Sequence, residues 1–181
     1  MKNLINAMAV GVCLTAAQAA TWDITLEING LNGGNEADPN LSTATGGSNV
    51  GTGIVYDDAS NILTLNVVYG LFGFQPLTGD YTASHLHEAP AGVNGPVIVD
   101  LASLHVGVDP RSGLYSGGNL VLTESQEAAL IAGNVYMNIH STAFPGGEIR
   151  GQLTVVPEPE MVALAVLGFS GLVLAMRRRQ S

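Results

Sequence analysis

Residues 136–153 read Tyr136-Met137-Asn138-Ile139-His140-Ser141-Thr142-Ala143-Phe144-Pro145-Gly146-Gly147-Glu148-Ile149-Arg150-Gly151-Gln152-Leu153. Pro145 at the second position of a four-residue turn and Gly146 at the third suit a type II turn, whose third position needs a positive φ. A connection that short joins two strands antiparallel. On the first, Val135, Met137 and Ile139 share a face; on the second, Ile149, Leu153 and Val155 do, with Gly151 between them. Those faces are expected to meet the core. By the same two-residue period, Tyr136, Asn138 and His140 should point away from it, alongside Glu148, Arg150 and Gln152.

The pattern extends outward from this hairpin. From Thr21 to Gly30, Trp22, Ile24, Leu26 and Ile28 alternate with Asp23, Thr25, Glu27 and Asn29, as in a half-buried strand. Further strands are expected at Gly53 to Tyr56, Asn61 to Tyr69, Tyr81 to Glu88, Pro96 to Leu101 and Asn119 to Leu122. The Gly/Asn/Thr-rich stretch from Leu31 to Thr52 is too polar for either regular element and reads as a long loop. Only Thr123 to Ala132 reads as a helix. Thr123 and Gln126 form a capping box, Glu124 and Glu127 suit the first turn, and Gly133 can close the end. Many short strands, Gly/Pro turns and one short helix predict an all-β fold, an antiparallel Greek-key-like β-sandwich over residues 21–156.

The two ends carry different signals. Met1 to Ala19 has one positive charge, Lys2, then an apolar run to Ala17 and the small-x-small sequence Ala17-Gln18-Ala19, so residues 1–19 read as a signal peptide. Cys13, the sole cysteine, lies within that run and would leave with it, so the folded part must be held by an ordinary apolar core. At the other end, Pro157-Glu158-Pro159 precedes sixteen uncharged residues, Met161 to Met176, and then Arg177-Arg178-Arg179. As a helix the uncharged run would span about 24 Å, near the roughly 30 Å of a bilayer core, with the arginines kept cytoplasmic. Residues 157–181 resemble a PEP-CTERM sorting tail. That resemblance implies cleavage near Pro157 to Pro159 by an exosortase-type enzyme after signal peptidase has acted at the other end. It also implies a passing inner-membrane intermediate and delivery to the surface or medium of a Gram-negative cell, often one that makes exopolysaccharide.

Between Thr21 and Val156 thirteen acidic residues face only Arg111 and Arg150, a formal charge of -11. Nucleic acid is excluded as a partner, since phosphate binding needs clustered Lys and Arg. The same field attracts cations. No phosphate-binding glycine motif or nucleophile elbow occurs, and nothing in the spacing brings Glu88 and Glu148 together as an acid and base.

A second informative segment is His85-Leu86-His87-Glu88-Ala89-Pro90-Ala91-Gly92-Val93-Asn94-Gly95-Pro96-Val97-Ile98-Val99-Asp100-Leu101. His85 and His87, two apart on a strand, emerge on one face roughly 7 Å apart at the backbone. Imidazoles at that spacing can converge on one ion, and His140, on an outward face of another strand, can add a third nitrogen if the strands are neighbours. Three imidazoles without a thiolate suit copper or zinc, with copper favoured intrinsically. The arrangement resembles the copper site of copper,zinc superoxide dismutases at the level of fold alone, and the acidic charge would slow the approach of superoxide. The structural alternative is that these histidines lie near loop ends and hold turns through backbone hydrogen bonds.

Taken together, the His-x-His segment and the Phe-Pro-Gly-Gly-Glu-Ile-Arg-Gly segment resemble the CHRD domain, named from chordin and found in many bacterial exported proteins. The resemblance implies a β-rich module and specifies no chemistry. Two functions therefore stand as expectations. One is a non-catalytic, surface-delivered module that binds matrix components or other proteins. The other is an exported copper- or zinc-binding protein using His85, His87 and His140.

Overall fold

A computed structural model of the chain describes residues 20–26, 30–36 and 46–156. The expected signal peptide and the expected sorting tail with its membrane helix lie outside the described residues. Within those residues, no helix is long and apolar enough to cross a membrane.

The hairpin read from the sequence is present and central. Strand β10 (Val135–Ser141) pairs antiparallel with β11 (Ile149–Val155), Val135 opposite Leu153 and Ile139 opposite Ile149. Gly147 donates its amide hydrogen to the carbonyl of Phe144 at 3.1 Å, closing the expected four-residue turn. The turn type differs from expectation. Gly147, and not Gly146, has the positive φ of 134°. Glycine at the fourth position is the type I preference, so Gly146 sits in ordinary backbone space.

On the free edge of β10 lies β6 (Tyr81–Glu88), with Leu86 opposite Met137, and on β6 lies β7 (Val97–Asp100). The other edge of β11 is shared. Its C-terminal half takes β1 (Thr21–Leu26) and its N-terminal half takes β2 (Leu31–Asn32). From there the sheet turns over. β1 pairs with β4 (Ile54–Asp57), and β2 with β3 (Gly46–Asn49). Both reach one edge of β5 (Ile62–Tyr69), whose opposite edge takes β9 (Ser112–Val121), followed by β8 (His105–Asp109). Among the described residues the result is one antiparallel sheet of eleven strands folded over so that two limbs face each other. This sandwich-like, all-β arrangement agrees with the expected class, although the limbs are one continuous sheet. Between them Leu65, Val67, Tyr69 and Tyr115 of one limb share a buried core with Leu86, Met137, Ile139 and Leu153 of the other.

The helix α1 (Glu124–Ile131) forms as predicted. Thr123 accepts from the Gln126 amide, Gln126 Oε1 accepts from the Thr123 amide at 2.9 Å, and Gly133, at φ 72°, donates back to Leu130. Three readings need correction. The stretch from Leu31 to Thr52 is not all loop: it contributes β2, β3 and a 3₁₀ turn at Gly33–Asn35. Its polar residues are held in register by β11 and β5 rather than by propensity. The segment expected at Asn119 begins at Ser112, and β8 was not foreseen. The polar face of the hairpin does not reach solvent: Tyr136, Asn138, Glu148, Arg150 and Gln152 are all buried.

Candidate metal centre

Burial of a polar face requires that its groups find partners, and the loop between β6 and β7 supplies those of Tyr136, Arg150 and Gln152. Arg150, 1 % exposed, donates from Nη1 to the Val93 carbonyl at 2.9 Å and from Nη2 to the Pro90 carbonyl at 3.1 Å. Gln152 Nε2 donates to the carbonyls of Ala89 and Gly133 at 2.9 and 2.8 Å. The Gly95 amide donates to Tyr136 Oη at 3.2 Å. From the other side, Asn35 Nδ2 donates to the carbonyls of Gly30 and Arg150. Residues 89–95 are thereby strapped across β10 and β11.

The three histidines stand at the margin of this strap. Register places Asn138 opposite His85, Tyr136 opposite His87 and Ala83 opposite His140, with a shift in register just after His140. His85 and His140 are thus diagonal neighbours on adjacent strands, within side-chain reach. One ring nitrogen from each of His85, His87 and His140 lies within 4.8 Å of the others. The sequence-based grouping is therefore assembled.

Hydrogen bonds fix how each ring presents its nitrogens. His87 Nδ1 lies 2.9 Å from the Gly95 carbonyl and His140 Nδ1 lies 2.9 Å from the Pro145 carbonyl. A carbonyl only accepts, so both Nδ1 atoms carry hydrogen and both Nε2 atoms are bare when the rings are neutral. His87 Nε2 is buried and has no hydrogen-bond partner. His140 Nε2 is 3.2 Å from His85 Nδ1, so in the neutral cluster His85 donates there. The remaining nitrogen of His85 points toward the Asp100 carboxylate, 4.0 Å away. The two carbonyls hydrogen-bonded behind His87 and His140, with a carboxylate near His85, are the kind of groups that orient histidine ligands at metal sites.

Electrostatics favours the metal-binding protonation state. Burial lowers the pKa of His87 against the opposing Gly95 hydrogen bond, and the charges of His85, His140 and Arg150 push it the same way. Burial likewise lowers His140, opposed by its bond to Pro145 and reinforced by His85. A neutral imidazole is the form that ligates.

Tyr136 links the strap to the cluster. Its ring is stacked on His87 with centroids 4.8 Å apart and planes at 6°, and the Arg150 guanidinium carbon lies 3.3 Å from its centroid. Tyr136, Arg150, Asp100 and Gly95 were not assigned to the site from sequence, because alternation marked the first two as solvent-facing and nothing local marks the others. The remaining candidates fall elsewhere. His105 is half-buried at the start of β8, its ring centroid 3.8 Å from that of Tyr81 and its Nε2 hydrogen-bonded with Tyr69 Oη. Glu88 ends β6 opposite Val135, whereas Glu148 sits beyond the Ile139 end of the hairpin, accepting from the Thr78 amide, so no acid and base pair forms. Ser84 is buried on the inner face against Tyr81. A polar cavity of about 210 Å³ is lined by Gly34, Asn35, Glu36, Gly92, Arg150 and Gln152.

Compared with known proteins, residues 29–153 match the family model described as the CHRD domain. No curated protein and no solved structure matches the chain.

Proposed function

The chain belongs to the CHRD domain family, and from that premise we propose that it is an exported, non-catalytic binding module holding one copper or zinc ion on His85, His87 and His140. The observation that carries this reading is the convergence of three ring nitrogens within 4.8 Å, one of them, His87 Nε2, buried without a partner. An unpartnered acceptor in the interior costs about 1–3 kcal/mol, which a bound cation offsets. An all-imidazole set suits zinc or copper, and copper(II) is the stronger binder of such sites. Three protein ligands leave a further position for water or for a donor from a partner.

Export is the second half of the proposal. It rests on the Ala17-Gln18-Ala19 cleavage pattern and on Pro157-Glu158-Pro159 ahead of an apolar run and three arginines. Signal peptidase and an exosortase-type enzyme are the processing partners, with the inner membrane as a passing station. At the surface or in the medium, exopolysaccharide or surface proteins are the partners of the delivered module. Its acidity concentrates cations near the site.

The test is metal content by mass spectrometry on the protein purified from cells supplied with copper and zinc. One ion per chain is expected, lost in His85→Ala, His87→Ala and His140→Ala. A wild-type protein without tight metal at neutral pH would sink the proposal.

A further inference from the structure

We propose that Arg150 and Tyr136 are positioning residues of the histidine cluster, holding residues 89–95 so that the Gly95 carbonyl keeps His87 as its Nδ1–H tautomer with Nε2 bare. The inference rests on the metal-binding reading of the cluster and adds the device that prepares it.

The connection runs through contiguous contacts. Arg150 holds the middle of the strap by the carbonyls of Pro90 and Val93. Gln152 holds its start by Ala89, and Tyr136 Oη holds its end by the Gly95 amide. At that same residue the carbonyl takes the hydrogen of His87 Nδ1. The strap can come this close because residue 95 is glycine: a Cβ there would collide with the carbonyl of Glu88. Tyr136 thus controls His87 twice, by its ring face and through Gly95. Arg150 controls Tyr136 in turn, lying 3.3 Å from its ring centroid while β10 stands between the strands that carry Arg150 and His87.

The chemical consequence concerns which nitrogen is available. An unconstrained neutral imidazole favours hydrogen on Nε2, which would put an N–H where the cluster needs a lone pair. The Gly95 carbonyl reverses that preference only while it is aimed at Nδ1. A loosened strap would leave His87 folded into the same pocket but with mixed tautomers and a poorer ligand.

Nitrogen-15 NMR of the histidine rings in the metal-free full chain, held in detergent, reads the tautomer directly, and zinc titration against a chelator reads affinity. Wild type and the surface control Arg111→Met are expected to show His87 wholly as Nδ1–H. Arg150→Met and Tyr136→Phe are expected to show a mixture and about 10- to 100-fold weaker zinc binding. Should Arg150→Met fail to fold, Tyr136→Phe, which removes a single oxygen, decides. A folded Tyr136→Phe with His87 wholly Nδ1–H and zinc affinity within twofold of wild type overturns the proposal. Wild type that takes up no zinc overturns the metal reading, and the tautomer comparison then decides the positioning role by itself.

Discussion

His85 Nδ1 and His140 Nε2 lie 3.2 Å apart, close to the separation of two nitrogens on one tetrahedral ion. With metal–nitrogen bonds of about 2.0–2.1 Å that separation is about 3.3–3.4 Å. The hydrogen bond of the metal-free cluster therefore holds the rings near the spacing the ion needs. Binding requires His85 to move its hydrogen from Nδ1 to Nε2, the nitrogen facing Asp100. Asp100→Asn should accordingly weaken zinc about 10-fold while leaving the melting temperature of the metal-free protein unchanged. Equal affinities for variant and parent in a chelator competition would remove Asp100 from the site.

The two glycines of the hairpin turn should behave oppositely. A Cβ on Gly147 would lie 2.6 Å from Asn138 Nδ2 and 2.7 Å from Glu36 Oε1, at a φ of 134° that other residues resist. A Cβ on Gly146 meets nothing within 4 Å. Gly147→Ala should cost about 2–4 kcal/mol in urea unfolding and Gly146→Ala less than about 1 kcal/mol. The reverse order would show that the turn is of type II after all.

Glu36 sets a pH dependence. Burial raises its pKa to about 7 from 4.5, against the pull of Arg150. Between those values the native state holds a proton that the unfolded chain has released, so this group's contribution is full below pH 4.5 and is lost as pH rises through about 7. Glu36→Gln removes that loss. The variant should be more stable than its parent at pH 8 by about 1–3 kcal/mol, with the gap closing toward pH 4.5. A gap that does not change between pH 5 and pH 8 in urea titrations would contradict the assignment.

Processing of the tail makes a separate prediction. In cells with an active exosortase the mature protein should appear at the surface or in the medium. Pro157→Ala with Pro159→Ala, or loss of the enzyme, should leave the longer form in the inner membrane, as immunoblots of cell fractions would reveal. An unprocessed protein in the membranes of the parent strain would refute tail cleavage.

The strands legible in the sequence include β1, β5, β10 and β11, whose apolar residues alternate, and β4, β6 and β7, short runs set between turn residues. The His-x-His pair was legible because a period of two puts both rings on one face. Convergence with His140 was legible only as a condition, that its strand should neighbour β6, because it depends on Asn138 lying opposite His85, and cross-strand register is not written locally. β2 and β3 escaped notice because Leu31-Asn32 and Gly46 to Asn49 acquire their form from β11 and β5. The polar row of Tyr136, Asn138, Arg150 and Gln152 misled for a physical reason. Alternation separates two faces of a strand, but it does not say that the polar one meets water, and here the carbonyls of Ala89, Pro90 and Val93 and the amide of Gly95 take water's place for Gln152, Arg150 and Tyr136.

The position of β11 in the sheet bears on when the protein can fold. The last strand of the domain is held on both edges, by β10 on one side and by β1 and β2 on the other. Until Ile149 to Val155 has emerged, the hairpin that carries His140 lacks its second arm, and β1 and β2 lack the edge they share. The limb of β3, β4, β5, β8 and β9 has all its strands once Val121 is through, whereas in a chain exported N-terminus first, as proposed, the limb that carries the histidines lacks β11 until almost all of the domain has crossed. On that proposal the histidine-bearing face closes last, on the far side of the membrane, because its pairings await the most distant strand.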